Sequence, residues 1–129
     1  MAEVVKVGLV HVQDGRLLVA RNEGRQLFYL PGGRQEPGES DADTLCREVL
    51  EELAVVVDPT SIRPVVTVEA PRDGTFGSLQ MRCYTAVFTG TPVPSHEVVE
   101  LAWVSATDGS RVTAAERALM VELTAAGLL

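Results

Sequence analysis

The sequence predicts an α+β or α/β layered sandwich, because several short β-rich runs are interleaved with two segments that read as capped, amphipathic helices. Its 129 residues leave room for one domain spanning residues 1–129, which would bury about two thirds of its unfolded surface. No internal repeat or low-complexity tract interrupts the pattern.

The elements follow in order. Val4 to Val12 is β-rich, Asp14-Gly15 is a turn pair, and Arg16 to Arg21 resumes with Leu17, Leu18 and Val19, so the opening predicts a hairpin. Gln26 to Leu30 predicts a short strand that delivers the loop Leu30-Pro31-Gly32-Gly33. There proline stiffens the turn and two glycines allow a close backbone approach to a ligand or metal. Ser40, with Asp43 three residues on, predicts a capping box and a helix that starts just after Ser40. Leu45, Val49 and Leu53, flanked by Ala42, Cys46 and Leu50, would form its wide core-facing side. A brief strand over Val55 to Val57 and a turn at Asp58-Pro59-Thr60 come next. Longer strands are expected over Ile62 to Ala70 and Ser78 to Thr89, separated by Pro71-Arg72-Asp73-Gly74. Thr91 to Pro94 reads as loop and Val98 to Ser105 as the last strand. Thr113 with Glu116 predicts a second capping box, followed by the stripe Leu119, Met120 and Leu123 and a stop at Gly127.

Composition excludes some functions. A formal charge of −7 opposes tracking a nucleic-acid polymer, which needs a basic surface. No run approaches the roughly 18 apolar residues of a membrane span, and Met1 to Lys6 runs into a strand pattern without a signal-peptide layout, so a cytoplasmic location is expected. Cys46 and Cys83 have no CxxC partner and read as buried free thiols.

The chemistry concentrates on the first helix. Glu48, Glu51 and Glu52 stand at i, i+3 and i+4 and so are neighbours on its surface. Like-charge pairs at such spacing cost roughly 0.2–0.5 kcal/mol each in an isolated helix, and Arg47 is the one cation the helix itself offers. A solvated acidic face is the bland alternative, but it leaves Gly32-Gly33 unexplained. Oxygen-only ligands select hard cations, so Mg²⁺ or Mn²⁺ is expected.

These residues resemble a family. Gly33, Glu39, Arg47, Glu48, Val49, Glu51, Glu52 and Val55 fall at the spacing of the signature of the Nudix hydrolases, the MutT-like nucleoside diphosphate-X pyrophosphohydrolases. Ala54 stands where that family has glycine; a helix ending slightly differently, with Val55 still packed inward, is the expectation. The resemblance implies a Nudix-type α/β/α sandwich with a mixed β-sheet. It also implies cleavage of the P–O–P bridge in a nucleoside diphosphate linked to another moiety, either an NTP or dNTP or a nucleotide sugar. Glu48, Glu51 and Glu52, with the backbone carbonyl of Gly33 or Gly32, match the metal-binding positions. Glu39 and Arg47 match a pair that braces the loop against the helix. Gly32, Gly33, Glu39 and Arg34 are the candidates for substrate binding, and Glu51, Glu52, Arg47 and Glu97 those for catalysis. The general base stays open between Glu51 and Glu52, with Glu97, six residues before Trp103, a loop acid that joins the metal cluster or acts as base in some members.

Substrate identity is not fixed by these motifs. Phe28, Tyr29, Phe76, Tyr84 and Trp103 are available for stacking, and each competes with a role in the core. Pro71 lies near a position that marks ADP-sugar hydrolases in the family, while nucleoside-triphosphate hydrolysis fits equally. A catalytically silent nucleotide-sensing domain is the alternative to an enzyme, and a homodimer stays open because family members often form one.

Overall fold

In the computed structural model, which describes residues 4–129, a mixed sheet and two smaller antiparallel sheets lie between two helices. Met1 to Glu3, read above as leading into the first strand, lie outside the described residues. The strands are β1 (Val4–Leu9), β2 (Val12–Gln13), β3 (Arg16–Asn22), β4 (Gly32–Arg34), β5 (Val56–Val57), β6 (Arg63–Pro71), β7 (Ser78–Thr85), β8 (Phe88–Thr89) and β9 (Val98–Val104). The helices are α1 (Asp41–Leu53) and α2 (Ala114–Ala125). The main sheet runs β4-β1-β7-β6, with β1 parallel to β7 and the other pairs antiparallel. A second sheet runs β2-β3-β9, and β5 pairs with β8.

Two cores flank the sheets, as the period of two along each strand requires. Val7 and Leu9 of β1 and Leu18 of β3 join Leu45, Val49 and Leu53 of α1. Leu17 and Val19, with Leu79, Met81 and Cys83 of β7, join Ala115, Leu119 and Leu123 of α2. Fully burying each leucine stabilises the fold by about 1.5–3 kcal/mol. This packing fixes α1, and with it every acid the helix carries.

The capping box forms as expected: Ser40 Oγ accepts from the N–H of Asp43 at 3.1 Å, and Asp43 Oδ2 accepts from the N–H of Ser40 at 3.1 Å. The apolar face is narrower than expected. Leu50 is 52% exposed and lies on the flank of the stripe, while Thr44 is fully buried and donates to Glu39 and to the Ser40 carbonyl. Cys83 is buried, but Cys46 is only partly so.

The long opening hairpin does not form. Asp14 and Gly15, both at positive φ, close only β2 and β3. At Val10 the chain changes partner, its N–H going to the carbonyl of Tyr84, and β1 lies between β4 and β7. Gln26 to Leu30 is not a strand either; Phe28 and Tyr29 make single bridges to Val112 and Ala20. Gly32-Gly33 belongs to β4, not to a loop. The strand expected over Ser78 to Thr89 breaks after Thr85, and Phe88–Thr89 turns to pair with β5.

The end of α1 corrects another expectation. Ala54 takes the left-handed conformation (φ 56°, ψ 35°) as the helix C-cap, with its N–H bonded to the carbonyl of Leu50. Val55 is nevertheless fully buried. Because alanine carries a Cβ into a region where glycine has none, Ala54→Gly is expected to raise the unfolding free energy by about 1 kcal/mol. Urea denaturation checks this, and turnover should change little.

Candidate active site

Two glycines let β4 pack tightly, against β1 on one side and against an acid of α1 on the other. Gly32 has φ 146°, and a Cβ there would overlap the carbonyl oxygen of Val7 and stand 2.8 Å from Cα of Gly8. Its N–H donates to Oε1 of Glu52 at 2.7 Å. At Gly33 a Cβ would stand 2.5 Å from Cδ of Glu48, so the carboxyl occupies the space of the missing side chain. Gly32 therefore serves close approach of β4 to β1, and Gly33 close approach of β4 to the Glu48 carboxyl.

Glu48 and Glu52 stand one helical turn apart and both line a cavity of about 940 Å³. Burial pushes the Glu52 carboxyl up to about 8; the Gly32 N–H opposes this, and the charges of Glu48 and Glu51 reinforce it. Burial likewise raises Glu48, against the pull of Arg47. Charged together, such groups repel strongly unless a cation joins them. Glu51 is exposed and is not among the cavity-lining residues.

Glu39 and Arg47 form a brace beside this pair. Arg47 donates through Nε to Glu39 Oε2 at 2.7 Å, through Nη2 to Oε1 at 2.9 Å, and through Nη1 to Glu48 Oε1 at 2.8 Å. Its Nη2 also reaches the carbonyl of Arg34. The Arg47 guanidinium, then the N–H of Glu36 and the hydroxyl of Thr44, hold the Glu39 carboxyl down at about 2. With its oxygens so occupied, Glu39 faces a separate hollow beside Val4 and Val5 rather than the main cavity. A depressed carboxylate stabilises the fold fully above its unfolded value near 4.5 and loses that contribution as pH falls toward 2. The acid-side decline in urea midpoint should therefore be shallower in Glu39→Gln than in the native chain.

The cavity gathers groups the motifs did not point to. Lys6 lines it from β1, and its positive charge acts on both Glu52 and Glu116. Tyr29 lines it too, with its hydroxyl bonded to Asn22 and its ionisation suppressed by burial and by the acids Glu52, Glu97 and Glu48. Glu116 is not a capping partner: its carboxyl is buried in the cavity wall, accepts from the N–H of Leu30 at 3.2 Å and takes the hydroxyl of Thr113. The first N–H of α2 turns instead to Asp73 at 3.4 Å. Arg34 and Glu97 line the cavity, and Glu97 is exposed. Of the aromatics, Phe28 is in the core, Tyr84 bonds Asp41, and Phe76 is 93% exposed. Lys6 carries no local signal in the sequence, and the one Glu116 carries is its capping spacing with Thr113.

The donor set fits a hard divalent cation. It offers only oxygens, from two fixed carboxylates beside a strand backbone. Among the described residues no group of three or more His, Cys, Asp or Glu side chains is placed to hold a metal ion, so the expected three-carboxylate cluster of Glu48, Glu51 and Glu52 reduces to the pair Glu48 and Glu52 at the cavity.

This arrangement of an acidic helix against a glycine strand is that of a Nudix hydrolase, and the chain belongs to that family: the NUDIX domain profile matches residues 3–123. Nudix hydrolases act on small nucleotide substrates and generally use a divalent metal. The chain is 31% identical over 118 residues to the 8-oxo-dGDP phosphatase NUDT18 of Mus musculus, covering 76% of this chain and 36% of the relative. With the Homo sapiens protein of the same name it shares 31% over 123 residues, covering 80% and 38%. It thus spans little more than a third of these curated relatives' length. The E. coli ORF135 protein superposes with a TM-score of 0.76 at 25% identity, covering 97% of this chain and 91% of that one. A MutT Nudix hydrolase from Burkholderia pseudomallei has the same fold, with a TM-score of 0.78 at 24% identity, covering 93% and 97%. No helix among the described residues is long and apolar enough to cross a membrane.

Proposed function

We propose that this chain hydrolyses the pyrophosphate linkage of a nucleoside di- or triphosphate, with an oxidised purine nucleotide preferred over a nucleotide sugar, using Mg²⁺ or Mn²⁺. The observation that carries the reading is the pair Glu48 and Glu52, half-buried on one helix face against Gly33 and Gly32 and open to a cavity large enough for a nucleotide. The base preference rests on the name that the two 31%-identical relatives share.

Glu48 and Glu52 would hold the cation, with the carbonyl of Gly33 beside them. When bound, the cation neutralises polyphosphate charge and stabilises the charge that develops as the P–O–P bridge breaks. Arg47 holds Glu48 by one N–H and is itself locked by Glu39, so Arg47 and Glu39 position the ligand and do not touch substrate. Arg34 and Lys6 supply positive charge at the cavity wall for phosphate oxygens. Glu97 on the cavity rim is the preferred general base, because Glu51 lies away from the cavity and Glu52 already accepts from Gly32. The test is a panel of 8-oxo-dGDP, dGDP, dGTP and a nucleotide sugar with Mg²⁺, resolving nucleoside monophosphate, phosphate and pyrophosphate. Fastest turnover of the oxidised diphosphate is expected; a preference for the sugar would contradict the substrate assignment.

A further inference from the structure

Asp41, the first residue of α1, ties the helix to both the main sheet and the loop ahead of it. Its Oδ1 accepts from Nη1 of Arg82 at 3.0 Å and from Nε2 of Gln35 at 2.9 Å. Its Oδ2 accepts from the hydroxyl of Tyr84. The same Gln35 amide donates to the carbonyl of Glu39 at 3.0 Å, so one continuous set of contacts runs from β7 through Asp41 and Glu39 to Arg47 and Glu48.

Helix capping does not account for this junction. Ser40 and Asp43 already complete the capping box, and Asp43 supplies first-turn negative charge of its own. What Asp41 adds is a lengthwise anchor. The fit it serves has no slack, since Glu48 fills the place of a Cβ at Gly33 and Glu52 meets the Gly32 N–H at 2.7 Å. A helix rises about 1.5 Å per residue, so a slip of a fraction of one residue would undo both contacts.

We infer that Asp41, held by Tyr84 and Arg82 of β7, is a positioning residue that sets α1 in register with Gly32 and Gly33. This rests on reading Glu48 and Glu52 as the cation ligands. Tyr84→Phe removes one hydroxyl, and Asp41→Asn removes the charge at nearly constant size.

The test is Mn²⁺ binding by calorimetry to the native chain and both variants without nucleotide, alongside melting temperatures and the Mg²⁺ dependence of turnover. Mn²⁺ affinity should fall about tenfold in each variant. Half-saturating Mg²⁺ should rise, while the nucleotide KM at saturating metal stays as in the native chain. Lower melting temperatures with native Mn²⁺ affinity would overturn the inference and leave the metal site standing. No Mn²⁺ uptake by the native chain would overturn both.

Discussion

Glu52→Gln is expected to lower kcat by about 10²–10⁴-fold while the chain folds and melts at or above the native temperature. The loss follows from removing one of two carboxylates placed to hold the cation, whose stabilisation of transition-state charge is worth roughly several kcal/mol. The gain in stability follows from burial. Native Glu52 has its carboxyl pushed up to about 8, by burial first and then, against the Gly32 N–H, by Glu48 and Glu51. A carboxyl raised in the folded state binds its proton more tightly there than when unfolded. It therefore destabilises the fold progressively as pH rises from near 4.5 toward 8. Glutamine keeps an oxygen for the Gly32 N–H and carries no charge. Steady-state kinetics with thermal melts at pH 5 and pH 8 check both halves, and the variant's advantage should be larger at pH 8. A variant with native turnover would remove Glu52 from the reaction.

Gly32→Ala should do the reverse and act through the fold. Its φ of 146° lies where an L side chain is strained, and the new Cβ would overlap the carbonyl oxygen of Val7 and crowd Cα of Gly8. Strain of this kind costs on the order of 1–3 kcal/mol before the clash is counted, and β4 must also leave β1 to relieve it. A domain has roughly 5–15 kcal/mol in total, so a large fraction is at stake. We expect destabilisation by at least about 3 kcal/mol in urea and loss of the Glu52 contact in whatever remains folded. Gly15→Ala, where a Cβ would meet nothing within 4 Å, is the control for positive φ alone and should cost less.

How much of this was legible in the sequence depended on the range of the contact. The cap at Ser40 and the stripe Leu45, Val49 and Leu53 are local patterns realised as read, whereas of the acids at 48, 51 and 52 only Glu48 and Glu52 reach the cavity. The need for glycine at 32 and 33 was visible as well, but assigned to a loop. The strand they form exists only because β1 passes alongside, and that follows from β1 pairing with β7 over seventy positions away. The opening hairpin is cut short for the same reason. An Asp-Gly turn fixes the two residues on either side, while a distant strand decides where the rest of β1 goes.

The site shows the same division. Arg47 and Glu39, eight residues apart, were readable as a pair, and they are bonded. Glu116 looked like a capping partner of Thr113 because the spacing fits; burial against Leu30 gave its carboxyl another use. Lys6 and Tyr29 reach the cavity from separate strands and turns, and no local spacing reports that. Asp41 carries no signal in the sequence, since its partners Arg82 and Tyr84 lie more than forty residues on.

The most direct test of the central claim is calorimetric titration of the native chain with Mg²⁺ and Mn²⁺, alone and with a non-hydrolysable nucleoside diphosphate. Divalent-ion uptake that tightens when nucleotide is present, and that disappears in Glu52→Gln, is the expected result. Heat of binding that is absent in both states, or that persists unchanged without Glu52, would contradict the assignment of the α1 carboxylates as the cation site.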